Sequence, residues 1–433
     1  DEIADPRPFA EIIRQWSTLH PEFAFLPRKF KIAITGAKED RAATAWHDVG
    51  LHLHRNAEHQ LGFRVLVGGG MGRTPITGTV VREFLPWNQI LNYLEAVVRV
   101  YNRWGRRDNI YKARIKILVK AEGQRYIDEV ETEFRHILEQ DGAPHRISDD
   151  VLAQHSAHFL PPPMTCNRSD AEEKVARILR AAAEDDVEFG RWLHTNVTAH
   201  QNPDFRAVTL SFKRLGQAPG DATADQLDAA ADLADQFSAG ELRITHEQNL
   251  VLPWVRCDQL PELWRAARKL GVARPNIGLV SDIIACPGGD YCDLANARSL
   301  PLAAAILDRF QDLDELNDLG EIDLHISGCI NSCGHHHSGH IGILGVDKDG
   351  KEWYQVTLGG SDGTFLSGPA RAGKVVGPSF AAAEVLGVIE AVLDTYVAHR
   401  QPQETFQQTL SRVGFDTFKT AANQARLQPT AHA

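Results

Sequence analysis

Four of the six cysteines occur as two close pairs, and their side chains offer the most specific chemistry in the chain. Five residues separate Cys286 from Cys292, and three separate Cys329 from Cys333. Thiolates are soft ligands that favour iron–sulfur clusters or zinc over hard cations. Zinc knuckles and ribbons use a two-residue gap. The spacing therefore favours a cluster held by four thiolates, with structural zinc, or four thiols without a ligand, as the alternatives.

A group of histidines lies just beyond the second pair: His335, His336, His337 and His340. They could act as zinc ligands, but we favour a polar loop at the mouth of a cofactor site. Cys166 and Cys257 have no cysteine near them in the sequence, and we expect both to be ordinary buried thiols.

The elements that position these residues are predicted to be short strands mixed with amphipathic helices, which indicates an α+β protein. Predicted strands cover 31–35, 63–67, 208–215, 241–245, 250–255, 322–326, 341–346 and 354–358. Predicted helices cover 90–101, 127–138, 227–237, 260–270 and 385–396. Thr223 and Gln226 form a capping box before the third helix. The order β-α-β-β-α within 205–271 is typical of a ferredoxin-like unit.

A faint internal repeat relates residues 63–70 to residues 353–360, because each segment is a strand that ends in glycines and precedes a helix. Two such copies suggest a pseudo-twofold pair of modules with a site between them. Pro161, Pro162 and Pro163 form the clearest linker.

Composition excludes several classes of protein. The 433 residues suggest two or three domains, and the net charge of −11 argues against nucleic-acid binding. The sequence has no run of eighteen apolar residues and no secretion signal, so we expect a cytoplasmic location without a membrane span. The first residue is not methionine, so we expect the chain to begin inside a longer product.

The context of the cysteines resembles the siroheme-containing nitrite/sulfite reductase family, and most closely its bacterial assimilatory sulfite-reducing members. Cys286 lies in Ala-Cys-Pro, and the second pair lies in Ser-Gly-Cys-Ile-Asn-Ser-Cys-Gly. The resemblance implies that all four cysteines bind a 4Fe–4S cluster. It also implies that Cys333 bridges the cluster to the siroheme iron and that Asn331 lies near the macrocycle.

Two further segments agree with this resemblance. Residues 26–31, Leu-Pro-Arg-Lys-Phe-Lys, resemble the active-site lysine motif, which implies catalytic roles for Lys29 and Lys31. Residues 243–249, Arg-Ile-Thr-His-Glu-Gln-Asn, resemble a siroheme-binding strand end. The siroheme-binding candidates are Arg243, Thr245, Gln248 and Asn249, with Arg28, Arg73 and Arg298 as weaker ones. Without the resemblance, the two lysines would be interpreted as a solvated strand edge and Arg243 as a surface charge.

The resemblance implies six-electron reduction of sulfite to sulfide, with nitrite reduction to ammonia as the alternative. A different class, a non-catalytic electron-transfer or zinc-stabilised protein, is the third hypothesis. No dinucleotide fingerprint follows a predicted strand, so electrons must come from a reductase flavoprotein or a ferredoxin.

The expected domain order follows from these segments. It comprises an N-terminal remnant (1–28), a first siroheme module (29–160), a linker and helix (161–204), a ferredoxin-like domain (205–271), a second siroheme and cluster module (272–400) and a tail (401–433). The second half has a ferredoxin-like unit before its module, whereas nothing comparable precedes Lys29. We therefore expect a longer polypeptide with one more small domain and further active-site arginines.

Overall fold

The computed structural model describes residues 2–162, 170–364 and 367–426, and the chain divides into two compact units. The first unit contains Asp1–Pro163 and Asp362–Ala370. The second contains Met164–Ser361 and Arg371–Ala433. The boundary follows the proline-rich segment, and Cys166 lies outside the described residues.

The first unit packs helices against a four-stranded sheet. Its elements are α1 (Arg7–Thr18), α2 (Pro21–Ala24), β1 (Ile32–Thr35), β2 (Val49–Arg55), β3 (Leu61–Val67), β4 (Thr79–Pro86), α3 (Ile90–Trp104), α4 (Ile115–Glu122), α5 (Gln124–Glu139) and α6 (Asp149–Ser156). The strand order is β1-β2-β3-β4, with β1 parallel to β2 and the other pairs antiparallel. The helix predicted from the spacing of Ile90, Leu94 and Tyr101 is confirmed, and all three side chains are buried.

The second unit begins with a ferredoxin-like part. Its elements are α7 (Asp170–Asp185), α8 (Val187–Thr195), β5 (Val197–Ala199), β6 (Phe205–Leu210), α9 (Ala224–Phe237), β7 (Arg243–Ile244), β8 (Leu250–Arg256) and α10 (Leu260–Lys269). The strand order is β5-β6-β8-β7. The predicted β-α-β-β-α order and the capping box of Thr223 and Gln226 are both confirmed.

Two of the predicted strands in this part are shorter than expected. The segment predicted to end at residue 215 leaves the sheet after Leu210, because the next backbone groups bond elsewhere. Ser211 donates its N–H to the Val272 carbonyl, and Phe212 donates its N–H to the Asn249 side chain. The segment 241–245 forms only the two-residue strand β7.

The rest of the second unit carries the cysteines. Its elements are β9 (Ile284–Ala285), α11 (Leu300–Arg309), α12 (Leu313–Leu319), β10 (Leu324–Ser327), β11 (Ile341–Lys348), β12 (Lys351–Leu358), β13 (Lys374–Val375), β14 (Phe380–Ala381), α13 (Ala382–His399), α14 (Phe406–Val413) and α15 (Phe415–Ala425). The main strand order is β13-β12-β11-β10-β9, and β14 pairs with β12. In the described part of the chain, no helix is long and apolar enough to cross a membrane.

The internal repeat is present in the two sheets. In each copy a parallel pair is followed by two antiparallel neighbours: β1 to β4 in the first unit and β10 to β13 in the second. Ile32 pairs with Val49 in the first copy, and Leu324 pairs with Ile341 in the second. Equivalent positions in these paired strands therefore differ by 292 in residue number, since 324 − 32 and 341 − 49 are both 292. The two matching sequence segments form the third strand of each copy, β3 and β12.

Equivalent glycines support the same alignment. A side chain on Gly50 would lie 2.5 Å from the Thr44 carbonyl oxygen, and one on Gly342 would lie 1.8 Å from the His336 carbonyl oxygen. The same offset places Ala37 and Arg41 where the second copy has Cys329 and Cys333. Only the second copy therefore has cysteines in this loop.

Candidate cluster and siroheme site

Two neighbouring parallel strands deliver the two cysteine pairs to one edge of the second sheet. β9 ends at Ala285 and β10 ends at Ser327, and the two strands are parallel with Ala285 opposite Ile326. The Cys286 N–H donates to the Ile326 carbonyl over 3.1 Å, which extends the ladder by one residue. Because the carboxyl ends of parallel strands meet at one edge, the Cys286 loop and the Cys329 loop start side by side.

The sulfur of Cys286 has a polar environment suited to a thiolate. The Gly328 N–H donates to its Sγ over 3.1 Å, and the Ser299 hydroxyl lies 3.5 Å from it. Backbone N–H groups directed at cluster sulfurs stabilise negative charge and raise the reduction potential. The backbone of Gly328 is thus turned toward a cysteine sulfur.

Glycines let the two cysteine loops pack backbone against backbone. A side chain on Gly328 would lie 2.7 Å from the Gly288 Cα and 2.6 Å from the Ala297 carbonyl oxygen. Gly288 has φ of +60°, and a side chain there would lie 2.4 Å from the Ser299 nitrogen. Any larger residue at either glycine would separate the loops and with them the two cysteine pairs.

The four thiols differ in exposure in a way that fits a cluster with one bridging ligand. Cys329 is buried and Cys286 and Cys292 are partly buried, whereas Cys333 is exposed. Ser332, with φ of +60°, points inward, so that Asn331 and Cys333 on either side of it are exposed. In a cubane cluster each thiolate binds its own iron, so the four sulfurs need not surround one ion.

The histidines beyond Cys333 do not form an exposed loop, because His336, His337 and His340 are all buried. A place at the mouth of a cofactor site stays a prediction. His336 is completely buried, which lowers its pKa to about 2, and its Nδ1 lies 3.0 Å from the Ser332 hydroxyl. His340 stacks on Phe406. The sequence signal was misleading because a run of polar residues resembles a surface loop whatever packs over it.

Gln248, in the turn between β7 and β8, hydrogen-bonds to β9, the strand that leads into Cys286 and is called here the cysteine-bearing strand. The side-chain amide of Gln248 donates from Nε2 to the Ala285 carbonyl over 2.9 Å and accepts the Ala285 N–H at Oε1 over 3.0 Å. Because β9 is the last strand of its sheet, this amide occupies the place of one residue of a missing neighbouring strand. Gly220 leaves the necessary space, since a side chain there would lie 2.7 Å from the Gln248 Cβ.

The other side chains of this turn are also engaged within the protein. Asn249 accepts the Phe212 N–H and donates to Asp282, and its own N–H donates to the Thr245 hydroxyl over 3.1 Å. Arg243 donates from Nε to Glu241 over 2.7 Å and is partly exposed. These contacts make Thr245, Gln248 and Asn249 positioning residues of the turn. Direct contact of any of them with siroheme stays a prediction.

Lys213, which sequence reasoning missed, lies beneath this turn. Its ammonium is completely buried and donates to the carbonyls of Glu247 and Gln248 over 2.6 and 3.3 Å. Burial lowers its pKa, and the negative charge of Asp282 opposes that shift. A lysine at the end of a strand ordinarily indicates solvent, so only the contact itself identifies this role.

In the first unit, Lys29 and Lys31 extend from the segment that leads into β1. Both are exposed, whereas Phe30 between them packs on the core and stacks against Tyr101. Both lysines therefore lie on the side of the segment opposite Phe30. Arg28 is exposed beside them.

Buried Asp48 anchors the lysine segment from below. Its carboxylate accepts the Lys31 N–H over 3.0 Å and an N–H of the Arg114 guanidinium over 2.8 Å. Lys116 lies two residues further along and donates to the Met71 and Thr74 carbonyls, while burial lowers its pKa to about 8. Sequence reasoning missed both of these cations.

The other two of the three weaker arginine candidates, Arg73 and Arg298, lie elsewhere in the chain. Arg73 is exposed and directly follows the glycine turn 68–72. Arg298 is paired with Glu352, and the Arg298 Nε lies 3.1 Å from a carboxylate oxygen.

Comparisons with known proteins agree with this arrangement of cysteines. The model of the nitrite and sulphite reductase 4Fe-4S domain matches residues 1–138 and 279–429, and that of the nitrite/sulfite reductase ferredoxin-like half domain matches residues 200–270. The chain belongs to the nitrite/sulfite reductase family. Members of this family carry siroheme and a 4Fe–4S cluster, and the residues described above fit both groups.

Curated relatives include enzymes named for either anion. Sulfite reductase (ferredoxin) 1 of Mycolicibacterium paratuberculosis is 29% identical over 94% of this chain and 66% of its own length. The assimilatory ferredoxin-dependent nitrite reductase of Haloferax mediterranei is 26% identical over 96% of this chain and 66% of its own length. The chain thus spans about two thirds of the length of these relatives.

A solved structure shows the same fold. The Mycobacterium tuberculosis NirA protein is 27% identical and superposes with a TM-score of 0.69, covering 96% of this chain and 69% of that one. The α+β architecture with small mixed sheets and a ferredoxin-like part is therefore that of the family.

Proposed function

We propose that the protein containing this chain reduces sulfite to sulfide, using siroheme coupled to a 4Fe–4S cluster. The observation that carries the proposal is the joint placement of the two cysteine pairs at one sheet edge, with Cys333 exposed beside Asn331. In this proposal Cys286, Cys292, Cys329 and Cys333 hold the cluster, and Cys333 also ligates the siroheme iron. The bound groups supply electrons one at a time to a reaction that takes sulfur from oxidation state +4 to −2.

Lys29 and Lys31 are proposed to bind the anion and to supply protons to the oxygens that leave as water. Both ammonium groups lie on the exposed side of a segment that Phe30 and Asp48 hold in place. Fixed cations of this kind stabilise charge that develops on a small anion, since they need no reorganisation during the reaction. Arg28 and Arg73 are proposed as partners for siroheme carboxylates, because guanidinium groups match carboxylates in two-point contacts.

The turn at 243–249 is proposed to seat the macrocycle against the cysteine loops. Gln248 ties the turn to the residue before Cys286, so a displacement of either would move the other. Arg243 is the candidate of this turn that is partly exposed and could pair with a siroheme carboxylate.

Nitrite reduction to ammonia is the second candidate, and the relative from Haloferax mediterranei favours it. We favour sulfite because the relative of highest identity among those described bears that name, and because the run Gly334–Gly345 resembles sulfite-reducing members. Steady-state turnover of sulfite and of nitrite by the natural full-length protein, with one artificial electron donor, tests the choice. A higher kcat/KM for nitrite would overturn it.

We propose a ferredoxin as electron donor and a cytoplasmic location. The relatives' names mention ferredoxin, and a reductase flavoprotein is the alternative donor. Turnover with a reduced ferredoxin, compared with turnover on a flavoprotein reductase and its nicotinamide, distinguishes the two. Sulfide formation with the flavoprotein alone would contradict the ferredoxin proposal.

A further inference from the structure

The first unit contains a compact group of ligand-type side chains that the proposed function does not use. His20 caps the start of α2, Glu95 lies in the middle of α3, and His145 lies in the loop after α5. One ligand atom from each lies within 4.8 Å of the others. The Glu95 Oε2 is 2.8 Å from the His145 Nε2 and 3.5 Å from the His20 Nε2. Two imidazoles and one carboxylate are a common ligand set for zinc.

The carboxylate of Glu95 is only half satisfied by the protein. Its Oε1 pairs with the Arg99 guanidinium over 2.5 Å. Its Oε2 is buried and, among the described residues, has no donor in hydrogen-bonding geometry, although the His145 Nε2 is so close. The His145 Nε2 is therefore close to the Glu95 Oε2 without being hydrogen-bonded to it. This is the arrangement expected of two ligands that both point at a metal ion rather than at each other. A cation between them would satisfy both.

Trp16 packs beside both imidazoles. The indole of Trp16 packs 4.6 Å from the His20 ring and 5.7 Å from the His145 ring, between centroids. Its Nε1 is buried and has no acceptor among the described residues. That N–H is available to a water or anion that completes the coordination of a metal.

We propose that His20, Glu95 and His145 bind a divalent transition-metal ion, with zinc as the probe, through the two Nε2 atoms and Oε2. Zinc binds imidazole nitrogen and carboxylate oxygen at about 2.0–2.2 Å, so the three atoms need only small shifts. The His20 Nδ1 must then carry the proton, and it loses the 3.3 Å contact in which it accepts the Glu22 N–H. The ion ties the segment before the lysine motif to α3 and to the loop after α5.

The test measures zinc in the full-length holoenzyme by elemental analysis, after exposure to excess zinc and removal of the free ion. We expect about one zinc per chain. We also expect at least 100-fold weaker zinc affinity in His145→Ala. The control His155→Ala, which replaces a partly exposed histidine on α6, should bind zinc as the parent does. Iron and siroheme contents should be the same in all three proteins.

X-ray absorption at the zinc edge of the parent makes the proposal falsifiable even where a variant fails to fold. Nitrogen and oxygen ligands without sulfur are expected. Sulfur ligands would place the zinc at the cysteines and overturn the proposal. Failure of the parent to retain zinc, or equal affinity in His145→Ala and His155→Ala, would overturn it as well.

Discussion

Replacing Gln248 by alanine removes the side chain that continues the sheet beyond β9. The substitution leaves the N–H and the carbonyl of Ala285 without their partners, and Ala285 is only 2% exposed. Each lost hydrogen bond contributes about 0.5–1.5 kcal/mol, and an unsatisfied buried group costs about 1–3 kcal/mol. Water can reach part of the opened space, so we expect a total loss of roughly 2–4 kcal/mol.

A loss of this size corresponds to a fall of roughly 5–10 °C in melting temperature for a unit of this length. Because Ala285 directly precedes Cys286, the cluster should become labile in the same transition. The assay follows cluster absorbance and circular dichroism together while the holoenzyme is heated. Gln248→Glu should melt at no higher a temperature than Gln248→Ala, because the second carboxylate oxygen would face the Ala285 carbonyl oxygen.

Gln236→Ala is the matched control, because Gln236 is an exposed amide on α9 that donates to the Glu262 carboxylate over 3.3 Å. It should melt within about 1 °C of the parent, as surface substitutions usually do. If Gln248→Ala also melted within that range and kept its cluster, the amide would not be holding the cysteine-bearing strand.

The other predictions concern the first unit. Lys29→Met and Lys31→Met should each reduce turnover on the order of 10²-fold or more, because each removes a charged contact to the anion. Cofactor absorbance should be unchanged. Turnover within twofold of the parent would show that the two lysines are solvated surface residues without a catalytic role. The folded-state pKa of Lys116, about 8, lies below the ordinary value of 10.5, so the unfolded chain binds more protons between these values. The free energy of unfolding of the parent should therefore rise relative to Lys116→Met as the pH is raised from 8 to 10, and chemical denaturation that shows a pH-independent difference would contradict this.

Much of the fold could be predicted because local patterns agreed with tertiary packing. The spacing of Ile90, Leu94 and Tyr101 marks a helix whose buried face is wide enough to show in the sequence. The strand that was expected to reach residue 215 stops early, because Ser211 and Phe212 bond to residues far away in the chain. No local pattern carries that information.

Sequence spacing picked out the two cysteine pairs, and the structure starts their two loops side by side at one sheet edge. The site was less predictable where the decisive contact is long-range. The contact of the Gln248 amide with the backbone beside Cys286 could not be predicted, because it joins residues 37 positions apart in the chain. Lys213 and Lys116 were missed because lysine ordinarily indicates solvent, yet both donate to buried carbonyls.

The role of Cys333 is the central claim, and iron and siroheme content measured together with the visible spectrum test it most directly. The comparison uses the full-length parent, Cys333→Ser and the control Cys257→Ser, whose buried thiol donates to the Pro203 carbonyl. We predict about five irons per chain, four in the cluster and one in siroheme, for the parent and for Cys257→Ser. Cys333→Ser should lose the cluster and the spectrum of the coupled cofactors while remaining folded by circular dichroism. Parental iron content and an unchanged spectrum in Cys333→Ser would contradict the account.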